Sequence, residues 1–474
     1  MYRSHIPDLH RRAFLKRATA LAAMGAAAPM AMNLAGVGEA AAMDATDYKA
    51  LVCIFFYGGN DYGNTVIPYD LANYDLYSAI REGGPGRTRG GIAYGRNELT
   101  ALTPTVAQTL TNNVQYALAP QLTKVSSLFN AGKAAVQLNV GPLVVPLTLA
   151  QYNGSDRTNY PLPPKLFSHN DQQSVWQALG SEGATIGWGG RMGDLALSSN
   201  GQSLLTCISA SGNAVFVSGN NALQYQISAD GAIPVWAAGG WMFGSAQTSN
   251  LLKTLITQPR THAFENEFTR VTARSITMEG IVNTALNPVN LTTSFDTDGK
   301  PNGLADQLKI VARLIGARTA LGSHRQVFFV SLGGFDTHDG LMENHPKLMG
   351  AFDEAMGAFY NATVELGVAD KVTTFTASDF GRTLTSNGNG SDHGWGGHHF
   401  IIGGAVNGGR YYGTAPEVSV TSNDQVGQGR LLPSTSVDQM AATLARWFGV
   451  SNSEMATVLP NIGHFASSNM GYFP

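Results

Sequence analysis

Cysteine is nearly absent from this chain: Cys53 and Cys207 are the two in 474 residues. A framework of several disulfides is thereby excluded, and there is no Cys-x-x-Cys metal knuckle. Both thiols have apolar or β-branched neighbours. The reading is a free thiol buried in a strand, with one disulfide as the alternative in an oxidising compartment. Charge is sparse as well. Asp, Glu, Lys and Arg make up 13% of the chain, and the net charge is −3. No basic patch of the kind that follows a phosphate backbone is visible, which argues against a nucleic acid as partner. Past the N-terminal region no apolar run is long enough to span a bilayer, so no membrane span is expected in the mature chain. Hydrophobic residues still reach 43%, and there are 55 glycines. That is enough for a large core, many turns and close backbone approaches.

The N-terminus carries an export pattern. Arg11 and Arg12 precede Ala13, Phe14, Leu15 and Lys16, an alanine-rich run follows over 18–37, and Glu39-Ala40-Ala41-Ala42 closes it. A charged segment, an apolar segment and small residues at a cleavage site make a signal peptide, and the paired arginines mark the twin-arginine type. Pro29, Asn33 and several glycines interrupt the apolar run, so it is a poor membrane span. Residues 1–42 are therefore read as a twin-arginine signal peptide. The partners during export are the twin-arginine translocase and signal peptidase, and the destination is the periplasm or the exterior. This route carries folded cargo, which suits a protein that takes up a metal or cofactor before export. Residues 43–474 are read as a single domain.

Within that domain, 51–56 is an unbroken apolar run bounded by Gly58-Gly59-Asn60, the mark of a strand buried on both faces. Segments 134–140, 326–332, 372–377 and 400–402 read as strands too. Leu304, Leu308, Val311, Leu314 and Ile315 recur at helical spacing, which predicts a helix over 303–321. Helices are also expected over 170–179, 344–367 and 436–448. The Ser-, Gly-, Val- and Asn-rich stretch 203–226 reads as extra strands, and 286–302 as a loop. Buried strands separated by helices predict a mostly parallel sheet covered on both sides.

Three of the strands run into polar clusters: Gly58 to Asn64, Gly333 to Asp339, and Ser378 to Thr383. Ligand sites in open α/β sheets form beyond the carboxyl ends of strands; a helix cap or polar turn is the plainer alternative at any one of them. Of 11 histidines, His338, His345, His393, His398 and His399 fall within 338–399, together with Asp336, Asp379 and Asp392. Residues 391–399 are mostly Gly, Asp and His. Imidazole and carboxylate are natural ligands for zinc, manganese or iron, against a hydrogen-bonded surface loop as the alternative. Ser168 stands three residues before Asp171 and reads as a helix N-cap. A hydroxyl there also borders an anion-binding helix end, and a metal ion would make it a nucleophile. Arg382 offers a fork for an anionic group, or an ordinary salt bridge.

The ordered motifs carry a resemblance. They are Gly58-Gly59-Asn60-Asp61 with Asn64, Phe167-Ser168-His169, Gly334-Phe335-Asp336-Thr337-His338, Ser378-Asp379-Phe380-Gly381-Arg382-Thr383, Asp392-His393-Gly394, and Ala442 to Gly449. The chain resembles the domain-of-unknown-function 1501 family, an exported bacterial family related to the alkaline phosphatase and sulfatase superfamily. The resemblance spans nearly the whole mature chain. It implies an α/β fold, a three-layer α/β/α sandwich with a mostly parallel central sheet, alkaline-phosphatase-like. Asp61 resembles the first-strand metal ligand and Ser168 the nucleophile; Asp336 and His338 look like the next metal pair. Asp379 resembles the ligand of an Asp-His pair, although Phe380 stands where the His would be. Asp392 and His393 are then the substitutes, with His398 or His399 closing the site. The implied cofactor is one or two divalent ions, zinc or manganese. The sulfatase cysteine motif is absent. The implied function is an exported metal-dependent hydrolase acting on a small anionic substrate, a phosphate or sulfate ester, with Arg382 on the anion. The alternative is a non-enzymatic exported protein of the same fold in the cell envelope. Under the metal reading, Asp61, Asp336, His338, Asp379 and His393 must converge beyond the strand ends, with Ser168 at the rim.

Overall fold

The computed structural model describes residues 43, 45–297 and 299–474; the signal-peptide reading of 1–42 lies outside them. The central strand, β1 (Lys49–Tyr57), shows why an unbroken apolar run was needed. Ala50, Val52, Ile54 and Phe56 enter one hydrophobic core, and Leu51, Cys53 and Phe55 enter a second one on the other face. Side chains alternate along a strand, so a strand covered on both sides has no place for polar residues.

The other principal strands are β2 (Ala134–Gly141), β3 (Cys207–Ser209), β4 (Gln224–Ser228), β5 (Arg325–Gly333), β6 (Val372–Ser378) and β7 (Gly397–Gly403). Their order across the sheet is β2-β7-β6-β1-β5-β3-β4. Neighbours run parallel except β7, which is antiparallel to both β6 and β2. Short strands extend the edges at Tyr411–Tyr412 and Thr435–Ser436 beside β2, and at Gly231–Ala232 beside β4.

Helices cover both faces. On one side lie α1 (Thr123–Asn130), α5 (Ala263–Leu286), α6 (Gly303–Gly316) and α7 (Leu341–Glu365), whose buried residues join Val52 and Phe56. On the other lie α2 (His169–Ala178), α3 (Trp188–Ala196) and α8 (Val437–Phe448), whose buried residues join Phe55. A further helix, α4 (Ala246–Thr257), packs on α5. The result is a three-layer α/β/α sandwich, as expected. The expected helix over 303–321 ends earlier, at Gly316, and 286–302 is a loop. The stretch 203–226 supplies β3 and the start of β4. A small antiparallel sheet of Val66–Pro68, Tyr116–Leu118 and Thr100–Ala101 had no counterpart in the sequence reading.

Cys53 and Cys207 are both free and buried, on strands separated by β5. Burial pushes both thiols above their ordinary range. The disulfide alternative is thereby set aside.

The first turn of α8 holds a costly group. Ser436 caps the helix in a reciprocal pair: its hydroxyl accepts from the Gln439 amide at 3.0 Å, and Gln439 Oε1 accepts from the Ser436 amide at 3.0 Å. Asp438, in that first turn, is buried, and its Oδ1 has no hydrogen-bond partner. A helix N-terminus favours negative charge, but burial outweighs it and lifts the Asp438 carboxyl to about 7. The fold then holds a proton that the unfolded chain has released, so this residue lowers stability as pH rises from about 4 toward 7. Asp438→Asn should remove that contribution. Urea midpoints of variant and parent should diverge across that pH range, the variant being the flatter. Parallel curves would show that Asp438 is charged in the fold throughout.

Candidate metal centre

Three loops meet beyond the carboxyl edge of the sheet because their strands stop together. Tyr57 at the end of β1 pairs with Gly333 of β5, and Phe56 with Ser378 of β6. The residues that follow are delivered to one edge of parallel strands, where ligand sites form. Their approach requires glycine. Gly58 has φ +117°, and a Cβ there would stand 2.3 Å from the Asp336 amide nitrogen. Gly59 has φ +86°, and a Cβ there would meet the Phe380 ring at 2.4 Å. Neither position accepts a larger residue without displacing the neighbouring loop.

Four side chains face one another above this junction. His338 Nε2 and His393 Nε2 are 2.8 Å apart, and each is 3.2 Å from Asp336 Oδ1. His169 Nε2 lies 3.4 Å from the other oxygen, Asp336 Oδ2. Among the described residues, ligand atoms of His169, Asp336 and His393 all lie within 4.8 Å of one another. Each ring is held from behind through Nδ1. His169 Nδ1 is 2.6 Å from Asp379 Oδ2, and His338 Nδ1 is 3.1 Å from Asp392 Oδ1. His393 Nδ1 is 2.7 Å from the Phe167 carbonyl oxygen.

Those partners fix where one proton sits. A carbonyl or a carboxylate can only accept, so each Nδ1 carries a proton, and whenever a ring is neutral its Nε2 presents a lone pair. Three lone pairs and a carboxylate then face one small space. They repel unless a cation or extra protons sit among them. Imidazoles oriented through Nδ1 by carboxylates and carbonyls, with Nε2 left open, are the usual arrangement around a bound metal. The donor set therefore fits a divalent ion.

Local structure holds the rings in place. Phe167 has φ +72°, an uncommon backbone for a bulky residue, and its carbonyl is the one that anchors His393. Phe380 lies under two rings, with centroids 4.9 Å from His169 and 4.6 Å from His393. It does not replace a missing ligand; it is the floor on which two ligands rest. The donors line the open side: Asp336 and His338 side chains are 47% and 44% exposed, whereas Asp379 is fully buried behind them.

The charges are set by this arrangement. The hydrogen bond that Asp379 accepts raises the His169 pKa against the effect of burial, while burial lowers that of His393. Burial also works against the charge on Asp336, but the hydrogen bond and charge of Arg382 hold it below the usual carboxylate range. Asp392 is held low by its bond from Asn387 and by His338.

The structure brings Asp336, His338 and His393 together and places Asp379 and Asp392 directly behind the rings. Those two were expected as ligands; instead their oxygens orient histidines. Asp379 accepts from Gly58 N at 3.2 Å and Gln173 Nε2 at 2.8 Å besides His169. Asp61 is a further correction. Its Oδ2 accepts from Arg81 at 2.9 Å and from Ser391 Oγ at 2.7 Å, and its Oδ1 accepts from the Asn64 amide at 2.9 Å. It is spent on a buried ion pair.

His398 and His399 lie within β7, away from the cluster. His398 Nδ1 accepts from Asn139 N at 3.0 Å, and His399 packs on Trp176 with centroids 4.9 Å apart. Burial drives their pKa values to about 4 and about 3. Arg382 is fully buried and bonds the Gly58 carbonyl at 3.0 Å, Asp336 Oδ1 at 2.9 Å and the Ser391 carbonyl, so it steadies Asp336 and cannot reach an incoming anion. Ser168 stands at the N-cap position of α2 but its side chain makes no capping bond to the backbone; its hydroxyl donates to Asp171 Oδ2 at 2.8 Å rather than toward the rings.

The residue that sequence reasoning missed as a ligand is His169. A signal was present: His169 and Gln173 are four apart in a helix, so both fall on one face, and both reach Asp379.

No curated protein matches the chain. Solved structures show distant likenesses. The PsFucS1 sulfatase from Pseudoalteromonas sp. is 9% identical, with 90% of this chain and 74% of that chain covered, at a TM-score of 0.35. Ps i-CgsB, solved with k-i-k-neocarrahexaose, is 9% identical over 89% of this chain and 78% of that chain, at a TM-score of 0.36. The lipoteichoic acid synthase LtaP from Listeria monocytogenes is 7% identical over 93% and 79%, at a TM-score of 0.28. Likenesses this distant say nothing about chemistry. The family is another matter: DUF1501, a family of proteins of unknown function, matches residues 48–459, and the chain belongs to it.

Proposed function

We propose that the chain is an exported, metal-dependent hydrolase-like protein acting on a phosphate or sulfate ester. The observation that carries this reading is the convergence of three Nε2 lone pairs on Asp336, each ring pinned by an obligate acceptor. His169, Asp336, His338 and His393 would hold one or two ions, with imidazole and carboxylate suiting zinc or manganese. An ion there supplies Lewis acidity toward an ester oxygen.

The chain's own groups do the rest. Ser168 sits between two residues of the centre, the Phe167 carbonyl on His393 and the His169 ring on Asp336. Its hydroxyl is the candidate nucleophile, at a helix N-terminus where amide groups favour an anion. Asp171 already accepts that proton in a hydrogen bond and is positioned to take it as the hydroxyl turns toward substrate. The same bond favours a second reading, a non-enzymatic envelope protein with a structural ion. Export itself is proposed on Arg11 and Arg12; among the described residues, no helix is long and apolar enough to cross a membrane.

Elemental analysis of protein purified without chelator should find one or two equivalents of zinc or manganese. Stripping the ion should lower the melting midpoint, and restoring it at a hundredfold excess over Kd should return about 2.7 kcal/mol. His393→Ala should lose most of the ion. A parent protein without stoichiometric metal, and without a thermal response to it, would sink the metal reading.

Ser168→Ala should keep the metal and lose turnover of an aryl phosphate or sulfate, at a stability cost of no more than about 2 kcal/mol. Turnover unchanged in the variant rejects the nucleophile; no turnover in a metal-loaded parent favours the structural ion. Arg11→Lys with Arg12→Lys should hold the precursor in the cytoplasm, and normal export of that double variant would end the twin-arginine reading.

A further inference from the structure

Arg382 is sealed beneath the centre, so its charge is not open to an incoming ester anion. We infer that Arg430 is the anion-recognising residue of the centre, taking oxygens of a tetrahedral phosphate or sulfate group. The inference rests on the metal-centre reading above.

Arg430 is partly exposed and tied to the centre from two directions. Its Nε donates to the His393 carbonyl at 2.7 Å, the residue whose ring faces Asp336. Its guanidinium carbon lies 5.5 Å over the ring of Phe167, the residue whose carbonyl anchors the same histidine. The guanidinium is thus held by two residues of the site. Beyond those contacts only a 3.4 Å bond from one terminal nitrogen to the Gly427 carbonyl is made. Among the described residues, the other terminal nitrogen has no protein acceptor and no carboxylate forms an ion pair with Arg430; Asp392 acts on it only through space. Arg382, by contrast, spends its donors on Gly58, Asp336 and Ser391.

The backbone that presents Arg430 is built for position. Gly427, Gln428 and Gly429 are all left-handed, at φ +106°, +55° and +70°. A Cβ on Gly429 would strike Leu384 Cβ at 2.4 Å. Gln425 Oε1 accepts from the amides of Gly427 at 2.6 Å and Gly429 at 3.2 Å, and the Gly429 carbonyl accepts from the Tyr62 hydroxyl at 2.7 Å. The two glycines adopt this backbone freely; Gln428 is the one residue of the three for which it is uncommon, and the contacts on either side hold it there. A partly buried guanidinium held at Nε, with a free terminal N–H group, is suited to the oxygens of an oxyanion.

The test compares the zinc- or manganese-loaded parent with Arg430→Gln and Arg430→Lys, reading metal content by elemental analysis and inorganic phosphate and sulfate binding by calorimetry. Metal content should be equal in all three. Anion affinity should fall at least about tenfold in Arg430→Gln, and less in Arg430→Lys, which keeps the charge without the fork. Equal anion affinity in Arg430→Gln with metal retained overturns the inference while leaving the metal centre standing. Loss of metal in Arg430→Gln overturns it too, since Arg430 would then only brace His393. A parent that binds metal but neither anion also rejects it. A parent that binds no metal overturns the underlying reading and this one together.

Discussion

Arg382 carries a permanent charge with none of its side chain in water, and the site is arranged around that fact. A buried cation survives only where acceptors replace its hydration. Here they come from three separate loops: the Gly58 carbonyl after β1, Asp336 after β5, and the Ser391 carbonyl from the segment leading into β7. One guanidinium therefore ties together the loops that carry Asp336, His338 and His393. Behind it the chain of contacts continues through the Ser391 hydroxyl to Asp61 and from Asp61 to Arg81. Removing one partner of these ion pairs leaves a charge buried alone, which costs more than the bond itself.

The close approach of the loops is what this bridge needs. With a side chain at Gly58 the Asp336 backbone would have to retreat, and the carboxylate would leave both Arg382 and the imidazoles. Phe380 then fills the space that glycine opens, giving His169 and His393 an apolar floor. The tight glycine contacts, the left-handed Phe167 and the buried guanidinium belong to one device, and it points three lone pairs at one place.

Much of the fold was legible because burial on both faces leaves a mark no polar substitution can blur. The runs that became β1 and β5 are of this kind, and the helical stripe from Leu304 to Ile315 is fully buried against the sheet. The two helices 246–257 and 263–286 escaped notice for the opposite reason. Leu251, Leu255, Phe264 and Phe268 are exposed, and only the last turns of 263–286 bring Met278, Val282, Ala285 and Leu286 to the core, so neither helix carries a period along its whole length. At the site, composition showed that histidine and aspartate gather, but not which way each points. His393, His398 and His399 are near neighbours in sequence, yet the latter two sit within a strand buried on both faces. Alternation sends His398 against Tyr62 and Tyr116 and His399 against Trp176, and neither returns to the loop. Asp61 looked like a ligand because its loop is right; the buried Arg81 that claims it comes from twenty residues on, with no motif to announce it.

Charge balance links the number of ions to the substrate. Arg81 cancels Asp61 and Arg382 cancels Asp336. Asp379 and Asp392, each bonded to the Nδ1 proton of a neutral ring, are left as two negative charges close behind the ligands. One divalent ion neutralises them and no more. On the proposed reading, one ion would leave Arg430 as the surplus positive charge, equal to the single negative charge of a sulfate monoester. A phosphate monoester brings nearly two charges, one more than that surplus. Asp336 has the means to bridge a pair, since Oδ1 faces His338 and His393 while Oδ2 faces His169. On the proposed hydrolase reading, the count of bound metal and the preferred anion would be one question, because the two oxygens of Asp336 would either share one ion or divide two.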